Sequence, residues 1–204
     1  MKNKLDYPIH TTASAPENSK PAVEQLLKAF GVVPNIAGVI ANSPKLINSL
    51  VGVFQQVHSS SLTEPEIQIV LLTDAVVNSC AYAVAFHTRL ALQQGVSQEE
   101  LDAVREHRRP KDRRLAALCS LATTLIEKRR HAGEQELDSF ITAGFTKEQV
   151  FEVIAIVAAS TITNYAGTIA NPPLDDSFRH NNRRIATARR AFSSRRLWPG
   201  VAHA

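Results

Sequence analysis

Cysteine is nearly absent from this chain: Cys80 and Cys119 are the only two among 204 residues. So few exclude a disulfide-stapled secreted scaffold and fit a reducing compartment, so a cytoplasmic protein is expected. Long hydrophobic runs are missing too. The N-terminal stretch MKNKLDYPIHTTASAPENSKP is polar and proline-bearing, without the apolar segment of a secretory signal. The longest apolar stretch, 150–162, is broken by Glu152, Ser160 and Thr161, and on that count is too short for a bilayer. No membrane partner is expected. There is no glycine-rich phosphate loop, dinucleotide fingerprint, His-Glu-x-x-His pair or nucleophile elbow, which argues against nucleotide and zinc-protease chemistry. The seven histidines are scattered, and no pair has ligand spacing, so neither cofactor nor metal is expected.

Acidic residues are absent after Phe178, whereas seven arginines (179, 183, 184, 189, 190, 195 and 196) follow it. Taking those seven from the net charge of +4 leaves −3 for residues 1–178. The basicity therefore belongs to a tail on a mildly acidic body. Such an arm can bind nucleic acid or anionic lipid. One arm is a narrower basic face than nucleic-acid binding needs, so no nucleic-acid partner is expected, and a solvated or subunit-wrapping helix is. Within it Phe178, Ile185 and Phe192 fall seven apart, a thin line that could dock on another subunit.

What is present is helical periodicity throughout, with no alternating run long enough for a sheet. The expected fold class is all-α, a single-domain bundle of about eight to ten helices. Residues 1–19 form a polar arm, 20–178 the domain and 179–204 the tail. Pro21 opens a first helix that Gly31 closes. A short helix covers 35–42, and Ser43-Pro44 starts a third that runs to the serines at 59–61. Thr63-Glu64-Pro65-Glu66 is a capping box opening a fourth, to about Val77. Asn78 or Ser79 then caps a helix that carries Cys80 in its first turn and ends at Gly95. Ser97 opens a short helix to about His107, and EHRRPKDRR (106–114) is a charged, proline-broken hinge candidate. A helix with Leu115, Leu118 and Cys119 on one stripe follows, then one over 136–143. Thr146 and Gln149 cap a long, nearly all-apolar helix from Lys147 to about Ile169, expected at the bundle centre or at a subunit contact.

The stretch NSCAYAVAFHT (78–88) carries the chemistry. A cysteine in the first turn of a helix has its thiolate favoured by the backbone dipole. Positions 80, 83 and 87 share a face, which sets His87 two turns from the sulfur, able to relay a proton. The same residues also suit plain core packing.

Five segments carry a resemblance: GVVPNIAGVIANSPKLINSL (31–50), LTEPEIQIVLLTDAVVNSCAYAVAFHT (62–88), LQQGVSQEEL (92–101), AGFTKEQVFEVIAIVAASTITNYAG (143–167) and NPPLDDSF (171–178). Together they resemble the alkylhydroperoxidase D and carboxymuconolactone decarboxylase family, in its peroxidase-related branch. The resemblance implies a Glu, a Cys-x-x-Cys twelve residues on and a His four residues later, with the second cysteine attacking peroxide, the first resolving it, and Glu and His relaying protons. Cys80 and His87 keep their places. The second cysteine falls on Ala83 and the glutamate on Gln68, while Glu66 lies two residues off register and serves as a cap. Alanine cannot attack a peroxide, and glutamine cannot accept a proton at neutral pH. Asn164, Tyr165 and Tyr82 also match the pattern, as packing or pocket-lining residues.

Three functions stay open. One is peroxiredoxin-type reduction of hydroperoxides in a degraded one-cysteine form, with Cys80, His87 and Gln68 as site residues and an external thiol as reductant. A second is acid/base chemistry of the decarboxylase kind at His87. The third is a silent oligomeric scaffold or binding protein. Cys119, on an apolar stripe, is expected in the core. The resemblance and the apolar helix both imply a homo-oligomer.

Overall fold

The computed structural model describes residues 6–128 and 133–176. Among them are nine α-helices and no strand: α1 (Lys20–Phe30), α2 (Asn35–Ile40), α3 (Pro44–Val57), α4 (Glu64–Val77), α5 (Ala81–Gln93), α6 (Gln98–Arg105), α7 (Arg113–Glu127), α8 (Glu134–Thr142) and α9 (Lys147–Ala170). The all-α bundle read from periodicity is the observed architecture. The arginine tail and its line of Phe178, Ile185 and Phe192 lie outside the described residues.

Capping chemistry sets most helix starts. Ser43 accepts from Leu46 N, Ser97 from Glu100 N and Thr146 from Gln149 N, and Asp112 accepts from Arg114 N and Leu115 N. Each satisfies a donor the first turn leaves without a helical partner. Thr63 N donates to Glu66 Oε2 at 2.9 Å, and Arg114 bridges the same carboxylate at 2.8 Å, so Glu66 is engaged as a cap, away from any site. The stretch 106–114, expected as a hinge, is tied down instead. Glu100 accepts from both Lys111 N and Asp112 N at 3.0 Å, and Pro110 is buried.

The centre of the bundle belongs to α4, not to the apolar helix after Thr146. Every residue from Glu66 to Ala75 is buried, with α5, α6, α7 and α9 packed around it. A helix buried on all sides must satisfy its polar side chains internally. Thr73 Oγ1 donates to Ile69 O at 2.8 Å. Asp74 accepts from Asn78 Nδ2 at 3.1 Å and from Asn164 Nδ2 at 2.5 Å.

By contrast α9 buries one stripe, Val153, Ile156, Ala159, Ser160, Asn164 and Gly167. Its other face shows large apolar side chains to solvent, with Phe151 72% and Tyr165 61% exposed. Tyr165 thus lies outside the interior where a packing residue was expected. At 24 residues α9 is long and apolar enough to cross a bilayer by length and composition, more than the run 150–162 suggested. It nonetheless packs on α2, α3, α4 and α7, and its Glu152 accepts from Ser61 N at 2.7 Å and Ser61 Oγ at 2.8 Å.

The N-terminal arm is docked on α2. His10 N donates to Gly38 O at 3.1 Å, and a Cβ at Gly38 would stand only 2.6 Å from His10 O, so only glycine admits this approach.

Candidate active site

Between α1, α2, α3, α4 and α5 lies a pocket of about 60 Å³, partly open to solvent. Its walls are almost wholly hydrocarbon and aromatic, including Phe30, Phe54, Tyr82 and Phe86. Phe86 meets Phe30 edge-on at 5.5 Å and His87 edge-on at 5.2 Å. Polar side chains enter at few points, among them His58, Gln68 and His87. A concave apolar site with a few convergent polar groups is the usual form of a small-molecule site.

His87 and Gln68 come together as the sequence implied. Both are buried, and His87 Nδ1 lies 3.0 Å from Gln68 Oε1. An amide oxygen only accepts, so Nδ1 carries the proton and Nε2 is the acceptor nitrogen. Burial, helped by the charge of nearby His58, pushes the His87 imidazolium down to about 3. The ring is therefore neutral at physiological pH. A glutamate at 68 would instead have favoured its charged form.

Cys80 is placed differently from expectation. The turn between α4 and α5 puts Ser79 in the left-handed region (φ 54°), and Asn78 closes α4 by donating to Asp74 O at 2.9 Å. Neither starts α5. Cys80 itself is the N-cap, one residue before the first turn, and its side chain makes no capping hydrogen bond. The residue is 4% exposed, clustered with Ala75 and Ala83. Its sulfur faces α9, where a Cβ on Gly167 would come within 3.1 Å of it. Ala83 lines the pocket with His87, and Cys80 does not. The shared helical face held for 83 and 87 because both lie inside α5. It failed for 80 because the cap residue leaves the helical spiral.

Cys119 is partly buried on α7, its sulfur 3.2 Å from Thr73 Oγ1, and burial pushes its thiol up to about 11. It packs against the core, as its stripe implied. Tyr82 lines the pocket and donates to Asp175 Oδ2 at 2.5 Å, while Asn35 N donates to the same carboxylate at 3.0 Å. Burial and Asp175 both push the Tyr82 phenol upward. Asn164 is buried against Asp74 rather than in the pocket.

The sequence reading missed His58 and Glu64. His58 caps the C-terminus of α3, and Glu64 is the first residue of α4. The serine turn between them brings Nδ1 within 2.9 Å of one carboxylate oxygen and 3.2 Å of the other. Phe54 stacks on the ring at 5.9 Å. A histidine before a turn and an acid just after it was the available signal, obscured because the serines read only as a helix stop. Among the described residues no group of three or more His, Cys, Asp or Glu is arranged to hold a metal ion.

The all-α bundle has the alkylhydroperoxidase D-like fold, with a histidine-bearing apolar pocket among its helices. Residues 44–112 match the model of the carboxymuconolactone decarboxylase family. No curated protein matches it. Several solved structures share its fold. A peroxidase-related protein from Ralstonia eutropha JMP134, described as an alkylhydroperoxidase AhpD core, aligns at TM-score 0.73 and 18% identity over 84% of this chain and 93% of that one. A peroxidase-related protein from Silicibacter sp. TM1040 aligns at TM-score 0.74 and 16% identity over 90% and 99%. The debrominase Bmp8, as a cysteine-to-alanine variant in complex with 2,3,4-tribromopyrrole, aligns at TM-score 0.72 and 15% identity over 87% and 95%.

Proposed function

We propose that this protein binds a small, flat, mainly apolar molecule in the α1–α5 pocket and acts on it by proton transfer at histidine. One observation carries the reading: His87, Gln68 and Ala83 line the pocket, and the Cys80 sulfur does not. A neutral imidazole with a fixed tautomer presents one acceptor nitrogen to a ligand N–H or O–H. The tribromopyrrole held by a protein of the same fold is a ligand of this shape. Peroxiredoxin-type reduction by Cys80 with His87 is the second reading. In its favour, Cys80 caps the N-terminus of α5, the helix that carries His87. Against it, the sulfur would first have to leave its seat by Gly167.

Titration of 2,3,4-tribromopyrrole into isotope-labelled protein tests the first reading. Amide signals of Ala83, Phe86 and His87 are expected to shift, Ala83→Trp to abolish the shifts, and Cys80→Ala to leave binding unchanged. No binding, or binding lost with Cys80 alone, contradicts it.

We also propose that the exposed apolar face of α9 is a contact between copies of this chain. Phe151, Ile154, Tyr165 and Ile169 are all exposed on it, and a large apolar patch of this kind marks an interaction surface. Sedimentation should show a homo-oligomer that Phe151→Ser with Tyr165→Ser dissociates. A monomeric wild type removes the proposal.

A further inference from the structure

The pocket lies where two packed groups of helices meet, and one of its edges is fastened by polar bonds rather than by hydrocarbon. On one side α1, α2 and α3 share a core through Leu26, Ile36, Ile47 and Leu50. On the other, α4 carries the main core with α5 laid against it. After α9 the chain turns back at Asn171 (φ 45°), and two prolines, whose rings restrict the backbone, lead it to the edge between α2 and α5. There Pro173 O accepts from Asn35 Nδ2 at 2.9 Å. Asp175 accepts from Asn35 N at 3.0 Å through Oδ1 and from the Tyr82 hydroxyl at 2.5 Å through Oδ2. Asn35 opens α2, and Tyr82 lies in the first turn of α5. One carboxylate thus joins the two helices where Pro34, Ile36, Tyr82 and Phe86 line the pocket.

We propose that Asp175 controls entry to this pocket: it holds the Tyr82 ring closed across the α2–α5 edge, and a flat aromatic ligand enters as that ring swings aside. The inference rests on the small-molecule reading above. The closed pocket, at about 60 Å³, is smaller than the cavity of about 150 Å³ that holds one benzene molecule. A wall must therefore give way to a substituted ring. The α4 wall cannot, since every residue from Glu66 to Ala75 is buried. Nor can α1 and α3 part without exposing hydrocarbon that they bury together, against the hydrophobic effect.

Tyr82 is the wall that can. Its side chain reaches from α5 over to α2, where Ile36 N donates to Oη at 3.4 Å and Asp175 takes the hydroxyl proton. Asn35, Tyr82 and Asp175 are each only partly buried, so water takes over their hydrogen bonds when they separate. The same arrangement sets the ligand class. With its hydroxyl committed to Asp175, Tyr82 offers the pocket only its ring, which lies nearly parallel to Phe86 at 6.3 Å and 16°. Such faces suit a flat, apolar body.

The test follows the exchange of 2,3,4-tribromopyrrole at the amide signals of Ala83 and Phe86, which gives its association and dissociation rate constants. Asp175→Ala removes the latch, and Tyr82→Phe removes the hydroxyl while keeping the ring. The association rate constant is expected to rise about tenfold in each, the equivalent of one lost hydrogen bond to a charged acceptor, and dissociation to quicken with it. A merely structural role for Asp175 would weaken binding without speeding entry. Tyr82→Phe serves alone if Asp175→Ala does not fold. Binding with an unchanged association rate in the variants, whatever happens to dissociation, overturns this inference and leaves the pocket reading standing. A wild-type protein that does not bind the probe overturns both.

Discussion

Replacing Ala83 with cysteine is expected to give a protein that consumes hydroperoxide and forms a disulfide with Cys80. Position 83 lines the pocket one helical turn before His87, where family resemblance puts the attacking thiol. A thiolate there cleaves the O–O bond, giving a sulfenic acid and an alcohol. Cys80 then condenses with the sulfenic acid, releasing water. For that its sulfur must turn from Gly167 toward the pocket, a rotation at the cap residue. Adding Gln68→Glu sets a carboxylate on His87 Nδ1 and raises the imidazole from its present value near 3, since an adjacent opposite charge favours the charged form. A restored acid/base partner contributes about 10²–10⁴ in rate, so the double variant should exceed Ala83→Cys by at least about 10²-fold. Peroxide consumption with an external thiol and intact-mass detection of the disulfide check both steps. An inactive double variant that folds would show that the pocket is not the site the resemblance implies.

The second large effect is on stability and comes from Asp74 at the centre of the bundle. Burial pushes its carboxyl from 3.8 up to about 6, against hydrogen bonds from Ser160, Asn164 and Asn78 that lower it. A carboxyl whose native pKa lies above its unfolded one is bound more tightly to its proton in the fold. Its contribution is fully present below pH 3.8 and lost as pH rises through about 6, following linkage. The gap corresponds to about 3 kcal/mol. His87 runs oppositely, because the unfolded ring takes a proton near 6.5 and the native one only near 3. Stability from that ring falls as pH drops below 6.5. The two oppose each other between pH 4 and 6, so total stability hides both, and Asp74→Asn separates them. Denaturant unfolding at several pH values should show the variant gaining on wild type by up to about 3 kcal/mol from pH 4 to 7. A constant difference across that range contradicts a raised Asp74.

Much of the fold was legible because helix ends are local chemistry. Capping residues at 43, 63, 97 and 146 and Gly31 in the left-handed region act within one turn of their own positions. What sequence could not supply was which apolar helix sits innermost. α4 and α9 both lack a strongly amphipathic pattern. The choice depends on long-range partners such as Asp74 with Asn164, ninety residues apart. In the site, the His87–Gln68 pair was legible from the resemblance alone. Cys80 was not, because one residue of error in the helix start moves a side chain from the pocket wall to the α9 contact. The His58–Glu64 pair joins two helix ends across a turn, and no periodicity marks such a meeting.

The measurement bearing most directly on histidine rather than thiol chemistry is the fate of Cys80 in the native wild-type protein under graded peroxide, with a sulfenic-acid trap and mass spectrometry. Cys80 is expected to remain a thiol, trapped no faster than Cys119, until denaturant opens the bundle. Rapid, stoichiometric sulfenic acid at Cys80 in the folded protein would contradict the account and return the pocket to peroxide reduction.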